Sequence, residues 1–91
     1  MRKLTAEELQ KASVITATTR NDALDKLANV LGLSTSEDFR WVRNSKRITG
    51  DGCKIDITTK KNKNTGFVEI KRIDVFGVNK EWDVYELGKK E

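Results

Sequence analysis

The residues best suited to chemistry in this chain are basic, and they are concentrated in its middle. Between positions 40 and 63 the sequence contains eight basic residues and only two acidic ones, Asp51 and Asp56, whereas the other positions hold ten basic and twelve acidic residues. The 91 residues have a formal net charge of +4, so the positive excess belongs to this segment. Charge concentrated in this way favours a polyanionic partner such as the phosphate backbone of a nucleic acid.

The basic segment contains the residue types that contact DNA. Arginine can bond guanine through two hydrogen bonds, asparagine can do so with adenine, and lysine mainly neutralises phosphates. The stretch TTKKNKNTG at 58–66 is predicted to form a hairpin tip whose lysines extend beyond the sheet. The candidate nucleic-acid-binding residues are Arg40, Arg43, Asn44, Lys46, Arg47, Lys60, Lys61 and Lys63. The same residues also fit a solvated helix face and lysines that protect a sheet edge.

Local signals predict the helices that would position these residues. Thr5 and Glu8 form a capping-box pattern at the start of a first helix, and the β-branched stretch SVITATT then indicates a short strand. A second helix is predicted in RNDALDKLANVLGLS, which ends at Gly32. Ser34 and Glu37 repeat the capping-box pattern and predict a third helix, at 36–46. Within it, Phe39 and Val42 are expected to face the core, and Trp41 to contact either the core or a nucleic acid.

The pattern changes to that of β-strands after residue 52. Alternation in CKIDITTK, FVEIKRIDVF and EWDVYEL predicts three strands, with a bulge where Ile70 and Ile73 break the alternation. These elements give an α+β fold class, with three helices packed on a small antiparallel β-meander. We expect one domain over 1–91, helical at about 4–46 and formed by the hairpin and meander at about 53–88.

The element order over residues 4–76 resembles the winged helix-turn-helix class of DNA-binding domains. Within LDKLANVLGLSTSEDFRWVRNSKR, the small residue Ala28 and Gly32 stand four apart, as helix-turn-helix motifs have them around their turn. The resemblance implies a transcriptional regulator that places the helix at 36–46 in the major groove and the hairpin at 60–66 on neighbouring phosphates. Such regulators commonly form homodimers, and Trp82 and Tyr85 are candidates for that contact.

A second constellation is acidic. Asp56 followed by Glu69-Ile70-Lys71 looks like the core of the PD-(D/E)xK nucleases, which bind magnesium through such carboxylates. If Lys61 lay opposite Gly66, Asp56 would face Lys71 on one side of the sheet. The other interpretation is an ordinary cross-strand ion pair, and we expect a protein that is not an enzyme.

Composition excludes several other functions. The sequence has no histidine, so neither the usual zinc sites nor Ser-His or Cys-His catalysis can form, and the single Cys53 cannot form an internal disulfide. No apolar run is long enough to span a membrane, and we expect a cytoplasmic protein with no metal or cofactor. The alternative to DNA is a protein-binding inhibitor or modulator that docks its basic patch on an acidic partner.

Overall fold

A computed structural model describes residues 3–33, 40–50 and 52–87 of this chain. In chain order the elements are α1 (Ala6–Ser13), β1 (Thr16–Ala17), α2 (Arg20–Leu31), β2 (Ser45–Gly50), β3 (Cys53–Lys61), β4 (Val68–Phe76) and β5 (Trp82–Glu86). Neither described helix has the length and apolar character needed to cross a membrane.

The predicted capping box of α1 and the predicted end of α2 at Gly32 are confirmed. Thr5 Oγ1 accepts a hydrogen bond from the Glu8 backbone at 3.1 Å, and the Glu8 carboxylate accepts one from the Thr5 backbone at 3.0 Å, which completes the capping box. Helix α2 begins after Thr19, whose hydroxyl caps the Asp22 backbone. It ends at Gly32, which has a left-handed φ of 71° that glycine adopts without steric cost.

The five strands form one antiparallel sheet. Strand β3 lies between β2 and β4, and the far edge of β4 is shared by two strands. The short β1 pairs with the start of β4, where Thr16 lies opposite Glu69, and β5 pairs with its end, where Trp82 lies opposite Phe76. The hairpin between β3 and β4 therefore has its tip at the same end of the sheet as β1.

The two helices pack on one face of this sheet. The side chains that face them are apolar and include Ile48, Ile55, Ile57, Ile73 and Val75, which are completely buried with Leu24 and Leu27 of α2. The residues that alternate with these along β2 to β5 are exposed or half-buried. We call their side of the sheet, which neither described helix covers, the open face.

The predicted three-helix, winged-helix-like architecture is wrong. The described residues form two helices and a five-stranded sheet. Of the proposed third helix, residues 40–44 are not helical and residues 45 and 46 begin β2. Pairing with β3 places Ile48 opposite Ile55 in the core, and it gives the backbone of β2 hydrogen-bond partners. Val42 was expected to face inward but is 70% exposed. The predicted capping pair Ser34–Glu37 and Phe39 lie outside the described residues.

Candidate nucleic-acid interface

The tip of the β3–β4 hairpin is a compact loop held by one asparagine. Lys61 and Val68 form its last strand pair, after which the Asn62 backbone donates to the Phe67 carbonyl at 2.8 Å. Asn62 Oδ1 then accepts hydrogen bonds from the backbone N–H groups of Asn64 and Thr65, at 2.8 and 3.3 Å. This local bonding fixes the backbone that carries Lys63 and the neighbouring Lys61.

The three hairpin lysines bring positive charge to the tip. Lys61 and Lys63 are exposed and Lys60 is half-buried, and within the described part of the chain no acidic group lies within ion-pair distance of any of them. Glu69 lies opposite Lys60 in the ladder, but its carboxylate accepts a hydrogen bond from the Asn62 amide at 3.0 Å. Their charge is therefore available to a partner.

A second basic segment meets β3 close to the tip of this hairpin. The Asn44 carbonyl accepts hydrogen bonds from the Thr59 backbone at 2.8 Å and from the Thr59 hydroxyl at 3.2 Å. The turn of Arg43 and Asn44 consequently lies beside the point where Lys60 continues β3. Both turn residues are exposed, and Arg43 has a φ of 58°. Two groups that are remote in sequence become parts of one surface.

Trp41 attaches this segment to the start of α2. Its indole N–H donates to Asn21 Oδ1 at 2.7 Å, and the Arg20 guanidinium lies 4.7 Å from the ring centroid. Arg20 also donates to the Arg43 carbonyl at 2.7 Å. Trp41 is half-buried against the core, so of the roles considered for it from sequence it takes the packing role. It holds the Arg43–Asn44 turn in place.

Arg20 is a cation of this surface that the sequence did not point to, because it lies outside the 40–63 segment. One signal was present: a base in the first turn of a helix opposes the helix dipole and is usually avoided there. We define the basic end of the molecule as Arg20, Arg43, Asn44, Lys60, Lys61 and Lys63.

The remaining predicted site residues lie elsewhere. Lys46 pairs with Ile57 on the helix-covered side of the sheet, and its nitrogen is 6.0 Å from the Trp41 ring centroid. Arg40 is exposed and lines a shallow cavity beside Arg47. Arg47 is on the open face, where its guanidinium donates to both carboxylate oxygens of Asp56, at 2.6 and 3.1 Å. This hydrogen bonding raises the pKa of Arg47, and the pairing compensates its charge.

The register of β3 and β4 separates the nuclease-like residues. Lys61 pairs with Val68 and not with Gly66 as assumed, so Asp56 lies opposite Asp74. Glu69 lies opposite Lys60, which is four residues, or roughly 13 Å, from Asp56 along β3. The predicted bulge is confirmed. Its extra residue is Lys71, since Thr58 pairs with Arg72 and Thr59 with Ile70.

The paired carboxylates on the open face also have partners. Asp56 is bound by Arg47, and Asp74 accepts a hydrogen bond from Arg72 at 2.8 Å, which raises the pKa of Arg72. In the portion of the chain that the structure describes, no cluster of three metal-binding side chains occurs. The sheet therefore does not assemble the predicted Asp56, Glu69 and Lys71 set.

Of the two residues proposed for a dimer contact, Tyr85 packs on the core and Trp82 is exposed. The Tyr85 hydroxyl lies 3.4 Å from the Leu4 backbone nitrogen, from which it accepts a hydrogen bond, and its ring packs on the core. Trp82 is on the open face, 57% exposed, and its ring stacks beside that of Phe76. Only the tryptophan presents its ring to a partner.

No protein-family model matches this chain, and comparisons with curated proteins and with solved structures found no similar protein. The geometry of the basic end is therefore the basis on which a function can be inferred.

Proposed function

We propose that this protein is a small cytoplasmic DNA-binding protein that contacts the phosphate backbone with its basic end. The observation that supports this most directly is the Asn44–Thr59 contact, which joins the Arg43–Asn44 turn to the lysine hairpin. A solvated surface does not require two basic segments to meet. A surface that contacts successive phosphates gains from it, because several cations then lie within reach of one backbone.

The positive charge of the hairpin tip is free of ion pairs among the described residues and is held in position by the loop. Each phosphate that a lysine neutralises releases a counterion, and log K falls with log salt by about 0.9 per phosphate on duplex DNA. Lys61 and Lys63 sit on a loop whose backbone Asn62 already holds. Binding therefore has less backbone entropy to remove than it would from a flexible tail.

The mode of contact differs from the winged-helix expectation. No helix spans 40–50 to enter the major groove. The element that contacts the DNA is instead the tip of the β3–β4 hairpin, where Lys60 and Lys61 lie beyond the residues of β3 that pair with β2. Asn64 at its tip is exposed and could bond an adenine edge, which would give a regulator of transcription some base preference.

The test is fluorescence anisotropy of a labelled random-sequence duplex between about 50 and about 200 mM salt. We compare the wild type with Lys61→Ala/Lys63→Ala, leaving the half-buried Lys60 in place. The slope of log K against log salt should become shallower by about 2, because two phosphate contacts are lost.

The matched control is Lys3→Ala/Lys11→Ala, which removes the same charge from ion-paired lysines elsewhere. It should change the slope little. Equal effects of the two double variants would show that net charge alone drives binding. Absence of binding at the lowest salt would remove the DNA proposal and leave an acidic protein as the partner to seek. A magnesium-containing sample in which the duplex is cleaved would indicate a nuclease instead.

A further inference from the structure

A second surface lies on the open face at the end opposite the hairpin tip. Lys54, Phe76 and Trp82 are directly opposite one another on β3, β4 and β5. The Phe76 and Trp82 rings are nearly parallel, with an interplanar angle of 10° and centroids 5.9 Å apart. Nothing in the described core requires this pair, because it lies on the side of the sheet away from the helices. We call this surface the aromatic end.

The aromatic end borders a cavity that is rich in cations. Its volume is about 640 Å³, and its lining includes Arg47, Lys54 and Lys80 but only one acid among the described residues, Glu81. Within that described set Lys54 and Lys80 form no ion pair. An exposed indole beside free ammonium groups is the combination with which proteins bind nucleotides, by stacking on the base and by attraction of the phosphate.

The aromatic end and the basic end are connected by the open face. Lys54 and Lys60 point to the same side of β3 and are six residues apart, which corresponds to roughly 20 Å. Sheets in known RNA-binding modules bind unpaired bases in this way, on aromatic side chains that project from the uncovered face. Single-strand-binding domains cover roughly 4 to 16 nucleotides, so one strand is long enough to reach both ends.

We propose that the aromatic end binds an unpaired nucleobase on Trp82, and that the preferred ligand is therefore single-stranded nucleic acid lying along the open face. This rests on the proposed function, since the basic end supplies the contacts to the backbone. A base within a duplex is stacked on its neighbours and cannot stack on an indole. Duplex DNA should thus use the basic end alone, and a single strand should use both ends.

The experiment compares a labelled oligothymidine of about 12 nucleotides with the duplex of the same length, by anisotropy at one salt concentration. Trp82→Ala should weaken binding of the single strand by roughly 5- to 150-fold, the range expected for one stacked base, and should leave the duplex nearly unchanged. Trp82→Phe keeps an aromatic ring and should retain most of the affinity. Oligothymidine should also quench tryptophan fluorescence in the wild type, with the quenching largely lost in Trp82→Phe.

Two controls separate this inference from the proposed function. Val14→Ala truncates another exposed apolar residue, at the end of α1, and should change neither affinity. Lys61→Ala/Lys63→Ala should weaken both ligands, because both use the basic end. Thermal melts followed by circular dichroism check that each variant is folded.

The outcomes distinguish the two ideas. If both ligands bind equally and Trp82→Ala changes neither, the stacking site is wrong while the basic end stands. If neither ligand binds the wild type, both ideas are wrong. If Trp82→Ala instead converts a dimer to a monomer in light scattering and leaves oligothymidine binding intact, a second copy of the chain occupies the aromatic end and the stacking site is again wrong.

Discussion

The two faces of the sheet are built from the same strands but have different chemistry. Along β3, Ile55 and Ile57 point towards the helices and are completely buried, whereas Asp56 and Thr58, between and beside them, lie on the open face. The covered face is held together by apolar burial, whereas the open face carries polar pairs, between β2 and β3 for Arg47–Asp56 and within β4 for Arg72–Asp74. Substitutions of residues that are adjacent in sequence should therefore differ sharply in how far they lower the free energy of unfolding.

The open face also differs from the hairpin tip in how it uses positive charge. Arg47 and Arg72 are each bonded to an aspartate, at 2.6 and 2.8 Å. The hairpin lysines have no such partner among the described residues. The number of basic residues in the sequence therefore overestimates the positive charge available to a ligand. The ion pairs in the structure show which of these residues are already neutralised.

The largest expected effect is on the covered face. Ile57→Ala removes a completely buried side chain and leaves a cavity between the sheet and the helices, so it should lower the free energy of unfolding by about 2 to 5 kcal/mol. Urea denaturation measures this value. Val84→Ala is the matched change on the open face, where the side chain is 40% exposed, and it should cost less than about 1 kcal/mol. Similar losses for the two variants would contradict the division into a structural and an open face.

A smaller effect is expected for the Arg47–Asp56 pair. Both side chains are partly exposed, so solvent screening limits their coupling to about 0.5 kcal/mol in a double-mutant cycle of Arg47→Ala and Asp56→Ala. Arg47→Ala should also weaken duplex binding less than Lys61→Ala, because the charge it removes is already compensated. A larger loss of affinity from Arg47→Ala would mean that the arginine leaves Asp56 to contact the ligand.

The sequence predicted those elements whose signals are local. Helices α1 and α2 follow from caps and apolar periodicity within about a dozen residues, and both the stop at Gly32 and the bulge near Lys71 were found in this way. Strand β2 was missed because the residues before it resemble a capped helix, while its stability comes from pairing with β3. One overlooked signal was the Asp-Gly pair at 51–52, a frequent hairpin turn, with Ile48 and Ile55 at matching distances on either side.

The candidate site was predictable in part for the same reason. The lysines of the hairpin were visible because turn residues and charge occur together in one short stretch. The pairing of Arg47 with Asp56 depends on which residues lie opposite each other in β2 and β3. The position of Lys71 depends on a bulge in β4, two strands from β2. Register is set by contacts across the sheet, so a list of basic positions could not separate paired from free cations.

The smallest expected effect tests a charge pair outside the open face. Lys3 Nζ lies 3.0 Å from Asp83 Oδ2, and Asp83 alternates with the open-face residues Trp82 and Val84 on β5. The hydrogen bond and charge of Asp83 raise the pKa of Lys3 above its ordinary value of 10.5. A raised pKa in the folded state stabilises the fold below the ordinary value, and that contribution is lost as the pH rises through the folded pKa.

Melting temperatures of the wild type and Lys3→Met should therefore differ slightly at pH 7, and the difference should shrink as the pH rises above the ordinary lysine pKa and through the raised pKa of Lys3. The effect is small because Lys3 is exposed. The arginine pairs of the open face provide the contrast. Arginine stays protonated over this range, so deprotonation of the cation does not remove the contribution of these pairs to stability. A difference that persisted unchanged at high pH would show that Lys3 acts through packing of its aliphatic stem rather than through its charge.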